Sequence, residues 1–152
     1  MSVYKNIEVD FVKRTIENFD YMEKNSIKLP QEITNFLNLC YGLLVLPNHN
    51  LNKIITKMPQ ELSYYGINEN DISMIQDKSF PKMVRSMRNG FAHSHIQSLS
   101  LDGNDEFVAI AIEDYHHGEK SPHFRIELSL EQLKQFVITF SQEYIKNKTN
   151  PI

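Results

Sequence analysis

Residues 30–47 read PQEITNFLNLCYGLLVLP, and this stretch decides the class of fold. Proline suits a first helical turn and also stops a helix it cannot continue, so the segment between Pro30 and Pro47 is expected as one helix. Its apolar residues occupy nearly every side, which suits the centre of a helical bundle and not its surface. Gly42 costs about 1 kcal/mol of helix propensity but lets a neighbouring helix come close. Cys40 lies in the apolar run and is expected as a buried, inert thiol. Asn35 and Asn38 share one face of this oily element; buried without partners, each would cost about 1 to 3 kcal/mol, so they are expected to satisfy backbone groups.

Amphipathic elements surround this central helix. Residues 5–25 place Ile7, Phe11, Ile16, Phe19 and Met22 on a helical stripe with charges between them. Two shorter helices are expected at residues 51–56 and 71–77, in a span punctuated by Pro59 and Gly66. Another helix runs from about Phe80 through RSMRNGFAH, with Pro81 tolerable only in its first turn. The hydrophobic period then changes from helix to strand. Residues 97–101, 106–114 and 123–128 read as strands, with Asp102, Gly103, Asn104 and Asp105 as a turn and residues 116–122 as a loop. Ser129 is positioned as the cap of a last helix, with Gln132 three residues on. Leu130, Leu133, Phe136, Val137, Phe140 and Tyr144 form the apolar stripe of that helix, and the tail KNKTNPI is expected to fray. The fold class is mainly α: a helical bundle with a small antiparallel β insert before its last helix.

The chain has 152 residues, 41% hydrophobic and 23% charged. That length and balance suit a single domain over residues 1–152 and exclude a wholly disordered or fibrous chain. The longest uninterrupted apolar stretch, residues 39–46, falls far short of the roughly 20 residues that cross a bilayer, so no membrane association is expected. The amino terminus carries no apolar secretion segment, and a lone cysteine allows no internal disulfide; a reducing cytoplasm is the expected setting. Net charge is −3, which argues against coating nucleic acid through bulk positive charge. Residues 78–101, however, hold four cations and no carboxylate, leaving −7 on the rest of the chain. A basic segment on an acidic body points to a local anion site.

On a helical wheel, Phe80, Met83, Val84, Met87 and Phe91 form one apolar face, with Lys82 and Arg85 opposite. Arg88 and His93 flank the polar side, about 140° apart and about 7.5 Å along the axis. Bringing them together requires the arginine to lean in, or Gly90 to loosen the helix so that the imidazole swings. The pair has a specific chemistry. A guanidinium grips phosphate with planar, fixed-charge donors and offsets charge on a phosphorane. An imidazole, with an ordinary pKa of about 6.5, passes protons at neutral pH. RNA carries its own nucleophile, the 2′-OH, so the products would be a 2′,3′-cyclic phosphate and a 5′-hydroxyl. The bland alternative is an ion pair or a capping imidazole at a helix end.

The segment Arg88-Asn89-Gly90-Phe91-Ala92-His93 has a polar residue after the arginine and a small residue before the histidine, late in an amphipathic helix. It resembles the HEPN superfamily, whose ribonucleases carry an R-x4-6-H motif. The second helix, NFLNLCYGLLVLPNHN, is similar to the Asn-bearing apolar helix of bacterial members. The resemblance runs from the first helix through His93, with weaker support beyond it. It implies an all-α core, a homodimer with motif helices facing across a twofold axis, and metal-independent endoribonuclease activity, as in a toxin or defence effector with an antitoxin partner.

By that likeness Arg88 and His93 are catalytic and Asn89 orients the site. His95, which satisfies the motif at the longer spacing, joins Lys82 and Arg85 as RNA-binding candidates, the two cations being alternatively a solvated face. Asn35 and Asn38 are candidates for pointing toward the motif helix. Asp114, His116, His117 and His123 have no recognised metal-ligand spacing, so neither metal nor cofactor is assigned. The alternative function is a noncatalytic HEPN module that binds RNA, nucleotide or a partner protein. The β insert is missing from the simplest members, and its role is not implied by the likeness.

Overall fold

A computed structural model describes residues 6–26, 32–45, 51–100 and 107–149, apart from the side chains of residues 32, 33, 35, 107 and 108. Helix α1 (Ile7–Lys24) buries Val9, Val12 and Phe19. Ile7, expected in the apolar stripe, is instead 64% exposed. It lies about 160° around the helix from Val9, and the core-facing stripe is Val9, Val12, Ile16 and Phe19. Two valines outrank the larger isoleucine because they sit at the spacing that faces the bundle.

The central helix forms as expected. Helix α2 (Glu32–Cys40) runs straight into a π-helical turn at Tyr41–Val45, and Leu39, Cys40, Leu43 and Leu44 are wholly buried. At Gly42 an added Cβ would run into the Phe11 ring, so glycine permits an approach of α1 that a larger residue would have only by displacing that ring. Asn38 is exposed, which removes the expected burial problem and any contact it was expected to make inside the bundle. The side chain of Asn35, both flanking prolines and the Asp102–Asp105 turn lie outside the described residues.

Helix α3 (Leu51–Ile55) matches its expectation, but the α-helix expected over 71–77 does not form, and residues 72–77 are not helical. Two 3-10 turns, Leu62–Tyr65 and Glu69–Asp71, lead into a short strand β1 (Ile72–Ser73). Two anchors outweigh the local pattern. The carboxylate of Asp71 accepts from its own turn at the Asn68 N–H (2.8 Å) and from Gln132 Nε2 (2.7 Å), while Ile72 pairs with Ile126 and is buried.

Helix α4 (Phe80–Ala92) carries Pro81 in its first turn and buries all five residues of the anticipated apolar face. After it come β2 (Ile96–Ser100), β3 (Phe107–Asp114) and β4 (Phe124–Ser129). The sheet is antiparallel throughout, in the order β1-β4-β3-β2, so it has four strands where three were expected. Phe124, Ile126 and Leu128 alternate into the core as predicted. Helix α5 (Leu130–Thr149) starts from the anticipated capping box: the Ser129 N–H donates to Gln132 Oε1 (3.0 Å) and the Gln132 N–H to Ser129 Oγ (3.2 Å). It stays helical through residues 146–149, where fraying was expected, and Lys148 there reaches Glu8 of α1 at 2.9 Å.

Apolar faces of the helices and the inner face of the sheet meet in one core. Tyr65 stacks on Phe80 with ring centroids 4.4 Å apart, and Phe136 and Phe140 of α5 close around them. Each wholly buried large side chain of this kind contributes about 1.5 to 3 kcal/mol of transfer free energy. The consequence for the site is rigidity: α4 is held between strand β3 and the π-helical turn Tyr41–Val45, whose Tyr41 ring meets Phe91 edge-on at 5.2 Å. No described helix is long and apolar enough to cross a membrane.

Candidate active site

Helix α4 lies so close to β3 that a Cβ on Gly90 would come within 2.5 Å of Ile112 Cγ2 and 2.8 Å of the Glu113 carbonyl oxygen. Gly90 therefore does not loosen the helix, as the sequence had led us to expect. It is a close-packing residue inside an unbroken α4, because the sheet occupies the space a side chain would need. The helix ends two residues later. The N–H of His95 donates to Gly90 O at 2.8 Å and that of Ser94 to Phe91 O at 3.2 Å, a Schellman ending with Ser94 in the left-handed region at φ +58°. His93 is the C-cap, exposed at the tip of the helix.

This ending places the motif beside the C-terminal end of β3, an interior strand of the sheet. The Glu113 N–H donates to His95 O at 3.0 Å, tying the chain after α4 to the end of β3. One residue further, Asp114 is buried and works on two sides at once. Its Oδ2 accepts from Asn89 Nδ2 at 3.2 Å and lies 3.1 Å from His123 Nε2. Asn89, held by its amide nitrogen, presents Oδ1 to Arg88 Nη1 at 3.0 Å. A line of polar contacts thus runs from Arg88 through Asn89 and Asp114 to His123, and fixes the guanidinium and amide of the motif from behind.

On the open side, His93, His95, Tyr115, His116, His117, Gly118 and Glu119 line a cleft of about 430 Å³, within the range of ligand sites. The imidazoles of His93 and His95 have centroids 5.9 Å apart, and His95 meets Tyr115 edge-on at 4.6 Å. His116 stacks face to face on His123 at 3.8 Å. The loop carrying these groups is pinned at its base by the His123 N–H to Asp114 O bond (2.9 Å) and turns at Gly118, φ +80°. Beneath it, the Tyr115 hydroxyl donates to Glu113 Oε2 at 2.6 Å, and Glu113 also pairs with Arg125. The Tyr115 bond, against the opposing effect of burial, and then Arg125 hold the Glu113 carboxyl below its ordinary value.

The cleft therefore brings together His93 and His95 of the predicted set; Arg88 and Asn89 do not line it and connect to the β3–β4 loop only through Asp114. Lys82 and Arg85 lie elsewhere. Counted along the helix axis they stand about 16 and 12 Å before His93, near Asp77, and Arg85 Nε donates to Asn52 Oδ1 at 2.9 Å. His95 Nδ1 is shielded from solvent and has no partner among the described residues. Asp114 was missed as a site residue in the sequence, where it was weighed only as a metal ligand. The usable signal was the pairing of an acidic strand end with the histidine-rich loop that follows it. Among the described residues no three His, Cys, Asp or Glu side chains are gathered so as to hold a metal ion.

The family model described as HEPN pEK499 p136 matches residues 1–151. The chain belongs to that HEPN family. The mainly helical architecture of this HEPN chain agrees with the membership, and its motif segment is the α4 tip described above. No curated protein and no solved structure matches it.

Proposed function

We infer that this HEPN chain is a metal-independent endoribonuclease acting on single-stranded or looped RNA, with residues 1–152 working as one domain in a cytoplasmic toxin or defence effector. One observation carries the reading: a HEPN chain has its histidine exposed on an open cleft at the tip of α4, while the arginine and asparagine of the same motif are held through Asp114. Arg88 is the phosphate clamp, His93 transfers the proton of the 2′-OH, and Asn89 orients Arg88. His95 contacts RNA at the same opening, and Lys82 and Arg85 contact the strand farther along. HEPN domains often work as dimers, and a twofold axis past the α4 tip would set two such clefts side by side. An antitoxin partner would act by covering that opening.

The test is cleavage of total RNA by purified protein with and without EDTA. The expected result is chelator-independent cleavage that leaves 2′,3′-cyclic phosphate ends, with His93→Ala, folded and dimeric, at least about 100-fold slower. Cleavage retained in that variant refutes the role of His93. Salt-dependent binding of RNA that stays intact identifies a noncatalytic binding module instead.

A further inference from the structure

We propose that the β3–β4 loop of the insert supplies a second catalytic imidazole, His116, which protonates the leaving 5′-oxygen during RNA cleavage. The proposal rests on the endoribonuclease reading above and gives the insert a role in it. Transphosphorylation moves two protons: one leaves the 2′-OH as that oxygen bonds to phosphorus, and one must reach the 5′-oxygen as its bond to phosphorus breaks. A single imidazole at His93 serves one of these transfers well and is poorly placed for the other, because attacking and leaving oxygens lie on opposite sides of the phosphorus.

The cleft holding His93 is also lined by the loop carrying His116 and His117. Of these two, His116 is the one held in a defined orientation. It stacks at 3.8 Å on His123, whose Nε2 lies 3.1 Å from the buried Asp114 carboxylate. The turn is closed by the Glu119 N–H on His116 O at 3.0 Å. The same Asp114 oxygen accepts from Asn89, so a single carboxylate sets the loop imidazoles and the motif amide in register. A proton donor held in one orientation is what efficient general acid catalysis uses.

The step balances. The 2′-OH proton passes to neutral His93, the 2′-O–P bond forms, the P–O5′ bond breaks, and His116 in its cationic form gives its proton to the departing oxygen. The products are the cyclic phosphate and the 5′-hydroxyl, with the two imidazoles left in exchanged protonation states that solvent restores.

The leaving group provides the test. His116→Ala is assayed on an RNA that the wild-type protein cuts, and on the same RNA with sulfur replacing the bridging 5′-oxygen at the cut site. A thiolate departs without a proton. The expected result is a loss of about 100-fold or more on the oxygen substrate and less than about threefold on the sulfur substrate, whereas His93→Ala slows both. Equal losses of His116→Ala on the two substrates, or no loss on either, overturn the assignment while leaving the endoribonuclease reading intact. A wild-type protein that cuts neither substrate overturns both.

Discussion

Replacing Gly90 by alanine sets two well-measured effects against each other. Helix propensity alone predicts a gain, since alanine is favoured over glycine by about 1 kcal/mol inside a helix. The contact with the sheet predicts a loss. The new methyl would meet Ile112 Cγ2 at 2.5 Å and the Glu113 carbonyl oxygen at 2.8 Å. Ile112 can turn slightly; the backbone oxygen moves only if α4 and β3 separate. Overpacking of this kind costs about 1 to 3 kcal/mol, and a contact against main chain belongs in the upper half of that range. The net expectation is a destabilisation of about 1 to 2 kcal/mol. In urea this moves the midpoint down by about 0.5 to 1 M at a slope near 2 kcal/mol/M. Thermally it lowers Tm by roughly 2 to 8 °C for a chain of this size. Equilibrium urea unfolding followed by far-UV circular dichroism is the assay. A midpoint equal to or above the wild type, at unchanged slope, refutes the claim that glycine is there for close approach to β3. On the proposed endoribonuclease reading the same variant should also weaken cleavage, because separating α4 from β3 lengthens the Asn89 to Asp114 bond that positions Arg88.

Two further outcomes are expected. Ser129→Ala removes one half of the capping box of α5 and should cost about 1 kcal/mol; combined with Gln132→Ala the losses should fall short of additive, since the two bonds are reciprocal, and strict additivity in urea unfolding would count against the box. Glu113 is held below its ordinary value in the folded state, so its contribution is present above the unfolded value of about 4.3 and is lost as pH falls through the folded one. Tyr115→Phe raises the folded value toward the unfolded one, and the acid-unfolding midpoint read by circular dichroism should move to higher pH; an unmoved midpoint would show that the hydroxyl is not what holds the carboxylate.

Legibility of this chain followed the range of the forces involved. The face of α4, the capping box of α5 and the alternation of β4 were readable because each is set by residues a few positions apart. The strand β1 was not, because a two-residue strand has no period of its own and exists only through its pairing with Ile126 and Arg125. The stripe on α1 was misplaced by the large Ile7, since local hydrophobicity does not say which of two partly apolar faces will meet a neighbour. Of the candidate site, Arg88, Asn89 and His93 were singled out by the resemblance of their segment to the HEPN motif, since spacing alone was weak, whereas Asp114 and His116 come from a segment more than twenty residues later.

Residue types and their order determined the central apolar helix, the caps, the strand alternation and the chemical character of the motif, because propensity, periodicity and hydrogen-bonding capacity act over one or two turns of chain. Only the tertiary structure decided that Gly90 admits the sheet, that Asp114 reaches both Asn89 and His123, and that four histidines from two separate segments line one cleft. These depend on how closely α4 and β3 approach. That distance is fixed by the packing of the whole core around them and by no residue pair that can be read along the chain.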